Sequence, residues 1–257
     1  MVQGPELFCF AIAVRRVTCR SRSAASIRAM GTSGTLESLE SAGIGTGDEV
    51  VVPAFGNAEV TEAVVRAGAV PVFADVDPDT YCLDPAAVAD VVSARTAAVI
   101  AVHRFGQQAD MARLRKLGAR HGLLVHGAEE PGVAPGGAER RRAYATYFDG
   151  RLRGVVTPTE RAPHTYEQYV VRVPGNGRPD RDAFARTLRA KGVACRVPVP
   201  VPVYRMPAYR RDLLLPQTER ACDETLALPV GESLSRRELH RVVSACNALG
   251  GLLQPAF

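Results

Sequence analysis

Residues 48–77 read DEVVVPAFGNAEVTEAVVRAGAVPVFADVD, and their rhythm decides the fold class. DEVVVPAF is a β-branched apolar run flanked by turn residues, the pattern of a strand buried on both faces. AEVTEAVVRAG (58–68) carries its apolar residues at helical spacing and stops at Gly68. VPVFADVD is a second strand. The same alternation extends in both directions. A helix over 35–43 precedes it, and DPAAVADVVS (84–93) opens a further helix with Asp84 and Pro85 as cap and first-turn residues. TAAVIAVH (96–103) is a strand, ADMARLRKLGARHG (109–122) a helix ended by Gly122, and LLVHGAEE (123–130) a strand with its trailing loop. Strand–helix–strand units on this spacing imply an α/β fold with a mainly parallel central sheet and right-handed crossovers. Ligands of such sheets lie beyond the carboxyl ends of the strands.

Composition bounds what that fold does. The 257 residues are 46% apolar, and a length prior of about 100–200 residues per domain favours two domains. No apolar run approaches the ~20 residues of a membrane span. FCFAIAV near the start lacks the basic flank and cleavage site of a signal peptide, so the expectation is cytoplasmic. Six scattered cysteines without a CxxC pair speak for reduced thiols in apolar surroundings, not for a disulfide framework or a metal site. The net charge of +5 is carried by arginine, since Lys116 and Lys191 are the only lysines. The arginines are dispersed and not interleaved with aromatics, which argues against nucleic acid and leaves room for a small anionic ligand.

After residue 131 the texture changes. PGVAPGGAERRRA is a Gly/Pro loop with a basic run, AYATYF (143–148) and GVVT (154–157) read as two short strands, and HTYEQYVVRV (164–173) as another. PDRDAFARTLRAKG (179–192) is a helix, VACRVPVPVPV an extended stretch whose alternate prolines exclude it from a sheet interior, and helical segments cover 218–228 and 235–249. The boundary is placed near 160. Residues 1–160 form a large domain, with the first ~25 unassigned, and 161–257 form a small α+β domain.

TSGT (32–35) running into LESLESAGIG is a small-residue turn opening an amphipathic helix, a natural seat for a phosphate. In context the residues carry a resemblance. GTSGTLESLESAGIGTGDEVVVPAF, AGAVPVFADVDPDTYCLDPAAV and AVIAVHRFGQQADMARLRKLGARHGLLV are similar to the large domain of the DegT/DnrJ/StrS sugar aminotransferases. HTYEQYVVRV, KGVACRVPVPVPVYRMPAYR and ETLALPV resemble that family's C-terminal domain, so the likeness runs over roughly 30–250. It implies a fold-type I, pyridoxal-phosphate (PLP) transferase-like architecture, here incomplete, and a dimer acting on nucleotide-linked keto-sugars. It also implies that Ser33, Gly34 and Thr35 offer N–H groups and hydroxyls to the cofactor phosphate.

Departures from the family are as informative. Its Schiff-base lysine follows a Ser-Phe strand end, whereas here Tyr147-Phe148 leads through Arg151 and Arg153 to Gly154, with no lysine. Arginine binds an anion but stays protonated and cannot make that bond. The aspartate that faces the pyridine nitrogen is replaced by Ala128 in an ungapped reading, or by His126 if two residues are deleted. The stacking aromatic becomes Asn57, and a long segment between TPTERA and HTYEQY shrinks to a few residues around 161–163. The expectation from these losses is that the ancestral PLP site is degraded and no cofactor is bound.

At the mouth of the sheet remain Asn57, His103, His126, Glu129 and Glu130, with Arg151 and Arg153 opposite. A histidine beside carboxylates does acid/base work near neutral pH, which nominates His126 with Glu129. His103 also reads as a hydrogen-bonded structural histidine, Glu129 and Glu130 as solvated loop charges, and ERRR (139–142) as a solvated turn. Three functions stay open: a non-catalytic partner or modulator in a sugar or secondary-metabolite pathway, homo-oligomeric or paired with an intact homologue; a cofactor-independent acid/base enzyme for isomerisation, dehydration or cyclisation; and a PLP-dependent sugar aminotransferase.

Overall fold

The computed structural model describes residues 31–56, 58–129, 137–159, 164–175, 181–230 and 234–250. Four strands, β1 (Glu49–Pro53), β2 (Val70–Ala74), β3 (Thr96–Val102) and β4 (Leu124–Ala128), form one sheet in the order β2-β1-β3-β4. Every pairing in it is parallel, with β1 registered on β2 from Glu49↔Val70 to Pro53↔Ala74 and β3 on β4 from Ala98↔Leu124 to Val102↔Ala128. Strand alternation sorts the core onto two faces. Val50, Val52, Ile100 and Val102 pack with Leu39, Val64 and Phe73 on one face, and Val51, Val99 and Ala101 with Val88 and Leu114 on the other. Helices α1 (Gly31–Ser41) and α2 (Glu59–Arg66) cover the first face; α3 (Pro85–Val91) and α4 (Met111–His121) cover the second.

The local signals act as physics requires. The Asp84 carboxylate accepts from Ala86 N–H at 3.0 Å with proline in the first turn of α3, and Asp110 accepts from Arg113 N–H at 3.0 Å to open α4. Gly122 ends α4 at φ 69°, the left-handed conformation that favours glycine.

Three stretches differ from their sequence reading. In 154–157, expected as a strand, only Val156 makes an isolated bridge, to Arg172. Residues 143–148, expected as a strand, lie inside α5 (Ala138–Asp149), because Arg141, Ala145 and Phe148 recur at helical spacing and all three are buried. Thr225–Leu228, expected as the end of a helix, is strand β6, which pairs antiparallel with β5 (Tyr169–Arg172). Helices α6 (Arg181–Ala190), α7 (Pro216–Glu224) and α8 (Arg236–Gly250), with two short 3-10 turns at Val203–Arg205 and Pro207–Tyr209, complete the described elements. A second core joins Phe148 and Leu152 to Tyr169, Leu188, Leu226 and Val242, so α5 packs with the C-terminal elements. Phe55, Tyr81 and Phe105 meet Val170, Val199 and Ala227 in a cluster that links this layer to the parallel sheet.

Among the described residues no helix is long and apolar enough to cross a membrane. Cys82, Cys195, Cys222 and Cys246 are buried free thiols, and burial raises Cys82 to about 11 and Cys222 and Cys246 to about 12. Cys9 and Cys19 lie outside the described residues.

Candidate functional site

Helix α1 reaches β1 through the short connection 42–48 and therefore runs antiparallel to it, which puts the TSGT turn at the carboxyl edge of the sheet. α1 is described from Gly31 onward, so the TSGT residues 32–35 lie in its first described turn. Thr35 is completely buried, Gly34 half-buried and Ser33 exposed, so the two hydroxyl residues face different ways. One turn further along, Ser38 Oγ meets His126 Nδ1 at 3.2 Å and ties α1 to β4. His126 Nε2 is buried and has no partner among the described residues. Burial lowers the pKa of His126 from its ordinary value and keeps the ring neutral near pH 7. The sequence alone did not single out Ser38, whose partner lies 88 residues away.

His126 and Glu129 do not form the expected pair. His126 and Ala128 face α1, whereas Glu129 follows the strand end and its charge bears on His103. His103 donates its backbone N–H to Ala128 O at 2.9 Å and accepts Ala109 N–H on Nδ1 at 3.1 Å, which leaves the proton of the neutral ring on Nε2. Burial lowers its pKa, with Glu129 opposing and Arg115 assisting. A side chain on Gly127 would place its Cβ 3.3 Å from that Nε2, so glycine there gives the imidazole room beside β4. Ala128, 1% exposed, holds the position read as the ring-nitrogen aspartate and supplies no carboxylate.

Arg151 and Arg153 belong to the second layer. The Arg151 guanidinium stacks over the Tyr147 ring, while Arg153 donates its backbone N–H to Asn247 Oδ1 of α8 at 2.8 Å. The basic run also differs from a solvated turn: Arg141 is 9% exposed and donates to Thr165 O at 3.1 Å. Asn57 and Glu130 lie outside the described residues. Among the described residues no group of three His, Cys, Asp or Glu side chains is placed to hold a metal.

The sequence matches the DegT/DnrJ/EryC1/StrS aminotransferase family over residues 2–127 and 136–247. The chain belongs to this family. Residues along 42% of the chain are 46% identical to the L-glutamine:2-deoxy-scyllo-inosose aminotransferase of Streptomyces paromomycinus, over 115 residues. The match spans only 27% of that relative's length. A pleiotropic regulatory protein of Geobacillus stearothermophilus is 27% identical, with 80% of this chain and 79% of that protein covered. The structure of NtdA from Bacillus subtilis with bound cofactor PMP superposes with a TM-score of 0.76 at 19% identity, over 86% of this chain and 72% of that one. The DegT/DnrJ/EryC1/StrS chain thus has the fold-type I transferase architecture, built on a parallel central sheet.

These relationships correct the expectation that no cofactor is bound. The family and its structural neighbours are PLP-dependent aminotransferases, one of them holding PMP, and they point to PLP as the cofactor. A missing lysine removes a covalent link and does not by itself remove cofactor binding. The small and hydroxyl-bearing residues of TSGT, with Thr35 buried, suit the phosphate end of such a cofactor. They do not suit the covalent link, since Lys116 and Lys191 are exposed, on α4 and in the turn after α6.

Proposed function

We propose that this chain serves amino transfer to a cyclitol or sugar ketone in secondary metabolism, with the PLP-type cofactor held non-covalently at the carboxyl edge of the sheet. The observation that carries the reading is the small-residue TSGT segment of α1, whose buried Thr35 lies one turn before Ser38, the residue that meets His126 of β4. When bound, the cofactor supplies an electron-withdrawing ring through which an amino group passes between carbons. The chain's own residues divide the remaining work. The first turn of α1 holds the phosphate, Ser38 fixes the His126 ring, and His103 presents a proton on Nε2 next to Gly127.

The test is a fluorescence titration with pyridoxamine phosphate. Saturable one-to-one binding, weakened about tenfold or more by Thr35→Val, supports the reading. Absence of saturation with the wild-type chain overturns it. L-Glutamine and 2-deoxy-scyllo-inosose, the pair in the name of the 46% identical relative, are the first donor and acceptor to assay.

The lysine inventory favours a second reading, in which the chain binds cofactor without turnover and partners an intact homologue. It requires that the chain alone be inactive and that mixing with such a homologue change the homologue's rate.

A further inference from the structure

A cleft of about 530 Å3 opens between the end of α5 and the start of α8, lined by Tyr147, Arg151, Arg236, Leu239 and His240. Its volume falls within the range of about 300–1,000 Å3 typical of small-molecule sites. None of the lining comes from the strand ends, so the cleft is separate from the TSGT turn.

Its chemistry is one-sided. Arg236, Leu239 and His240 stand at i, i+3 and i+4 and share one face of α8, with Leu239 buried as an apolar floor. Arg151 lies over the Tyr147 ring with its guanidinium carbon 4.1 Å from the centroid, and one N–H donates to Tyr147 O at 3.3 Å. The stacking pre-sets a planar fork, and among the described residues its other N–H groups have no hydrogen-bond partner. Among the described residues neither Arg151 nor Arg236 has a carboxylate partner. Glu238, the acid nearest Arg236 in the chain, is committed elsewhere: its Oε2 accepts from Ser235 N–H and Oγ, both at 2.7 Å. His240 Nδ1 meets Ser244 Oγ at 3.3 Å, which orients the ring and leaves Nε2 for another partner.

Two guanidinia and an imidazole around a concave, partly apolar cleft recognise a compact dianion. We propose that this cleft binds a small molecule carrying a phosphate or diphosphate, with Arg151 and Arg236 forking its oxygens and His240 adding a hydrogen bond.

The test is a calorimetric titration of the full chain with sodium pyrophosphate at low ionic strength, where screening is weak. The expected result is saturable binding that weakens about tenfold or more in Arg151→Gln and in Arg236→Gln. Arg120→Gln, an equal charge change on exposed α4, leaves it unaltered. Both cleft arginines are exposed, so their substitution preserves the fold, which circular dichroism verifies. No saturable binding to wild type, or equal affinity in all three variants, overturns the proposal. So does loss of binding in Thr35→Val with none in the arginine variants, because the anion would then sit at α1. Pyrophosphate affinity and pyridoxamine phosphate affinity fail separately, so this site and the cofactor site are judged apart.

Discussion

Asp75, just past the end of β2, closes the first turn of a helix that begins more than 140 residues later. Its Oδ1 accepts from Thr218 N–H and Thr218 Oγ1, both at 2.7 Å, and its Oδ2 accepts Gln217 N–H at 3.0 Å. The carboxylate does for α7 what an N-cap does from within the chain, and it is favoured there by the helix dipole. Asp75→Ala strands these donors in a part-buried place and should lower the unfolding free energy by about 1–3 kcal/mol. Chemical denaturation measures it; a change below a few tenths would show the bond network to be idle.

Gly106 in the GQQADM stretch has φ 89° and lies against the segment 164–168. Its carbonyl accepts Thr165 N–H at 2.9 Å, and a Cβ on it would stand 2.8 Å from the backbone nitrogens of Tyr166 and Glu167. Backbone atoms cannot swing aside as a side chain would. Gly106→Ala combines that clash with a disfavoured φ and should cost about 2 kcal/mol or more, at the level of a core defect. A variant with wild-type melting behaviour would contradict the packing described.

The elements of the parallel sheet were legible because local physics writes them. Asp84-Pro85, Asp110 and Gly122 start and stop helices by their own hydrogen bonds, and Val50, Val51 and Val52 are apolar because both faces of β1 are covered. The site was legible only in part. TSGT could be placed at a helix start, but the partition of His126 towards Ser38 and of Glu129 towards His103 depends on strand alternation and on a helix 88 residues away. Arg151 was assigned opposite the sheet mouth from its place near the expected lysine. That assignment rested on reading 143–148 as a strand, and helix α5 carries Arg151 to Tyr147 and α8 instead.

Non-covalent cofactor binding has a chemical signature. Borohydride fixes a cofactor only where it is joined to a lysine, and Lys116 and Lys191 are exposed on polar faces. After incubation with pyridoxal phosphate, reduction and digestion, no stoichiometric pyridoxyl-lysine peptide is expected, while dialysis alone should release the cofactor. Mass spectrometry showing a full equivalent on either lysine would reverse this.

Stability should fall in mild acid, and His164 is a principal reason. The ring is 4% exposed, stacks on Tyr166 with centroids 4.0 Å apart, and accepts Tyr166 N–H on Nδ1 at 2.9 Å. A proton on Nδ1 would abolish that acceptor. Burial first, and the Arg142 charge second, push its pKa down from 6.5 to about 4. The unfolded chain therefore binds more protons between these values, and stability rises with pH wherever that holds. The contribution is complete above about pH 6.5 and is lost as pH falls towards 4, a loss on the order of 3 kcal/mol in all. His103 and His126 are also shifted down by burial, so the informative quantity is the difference between variants. His164→Gln retains an acceptor for Tyr166 N–H but cannot titrate. Its unfolding free energy, followed by denaturant titration from about pH 7.5 to about pH 4, should show a shallower slope than the wild type, and an unchanged slope would remove His164 from the account.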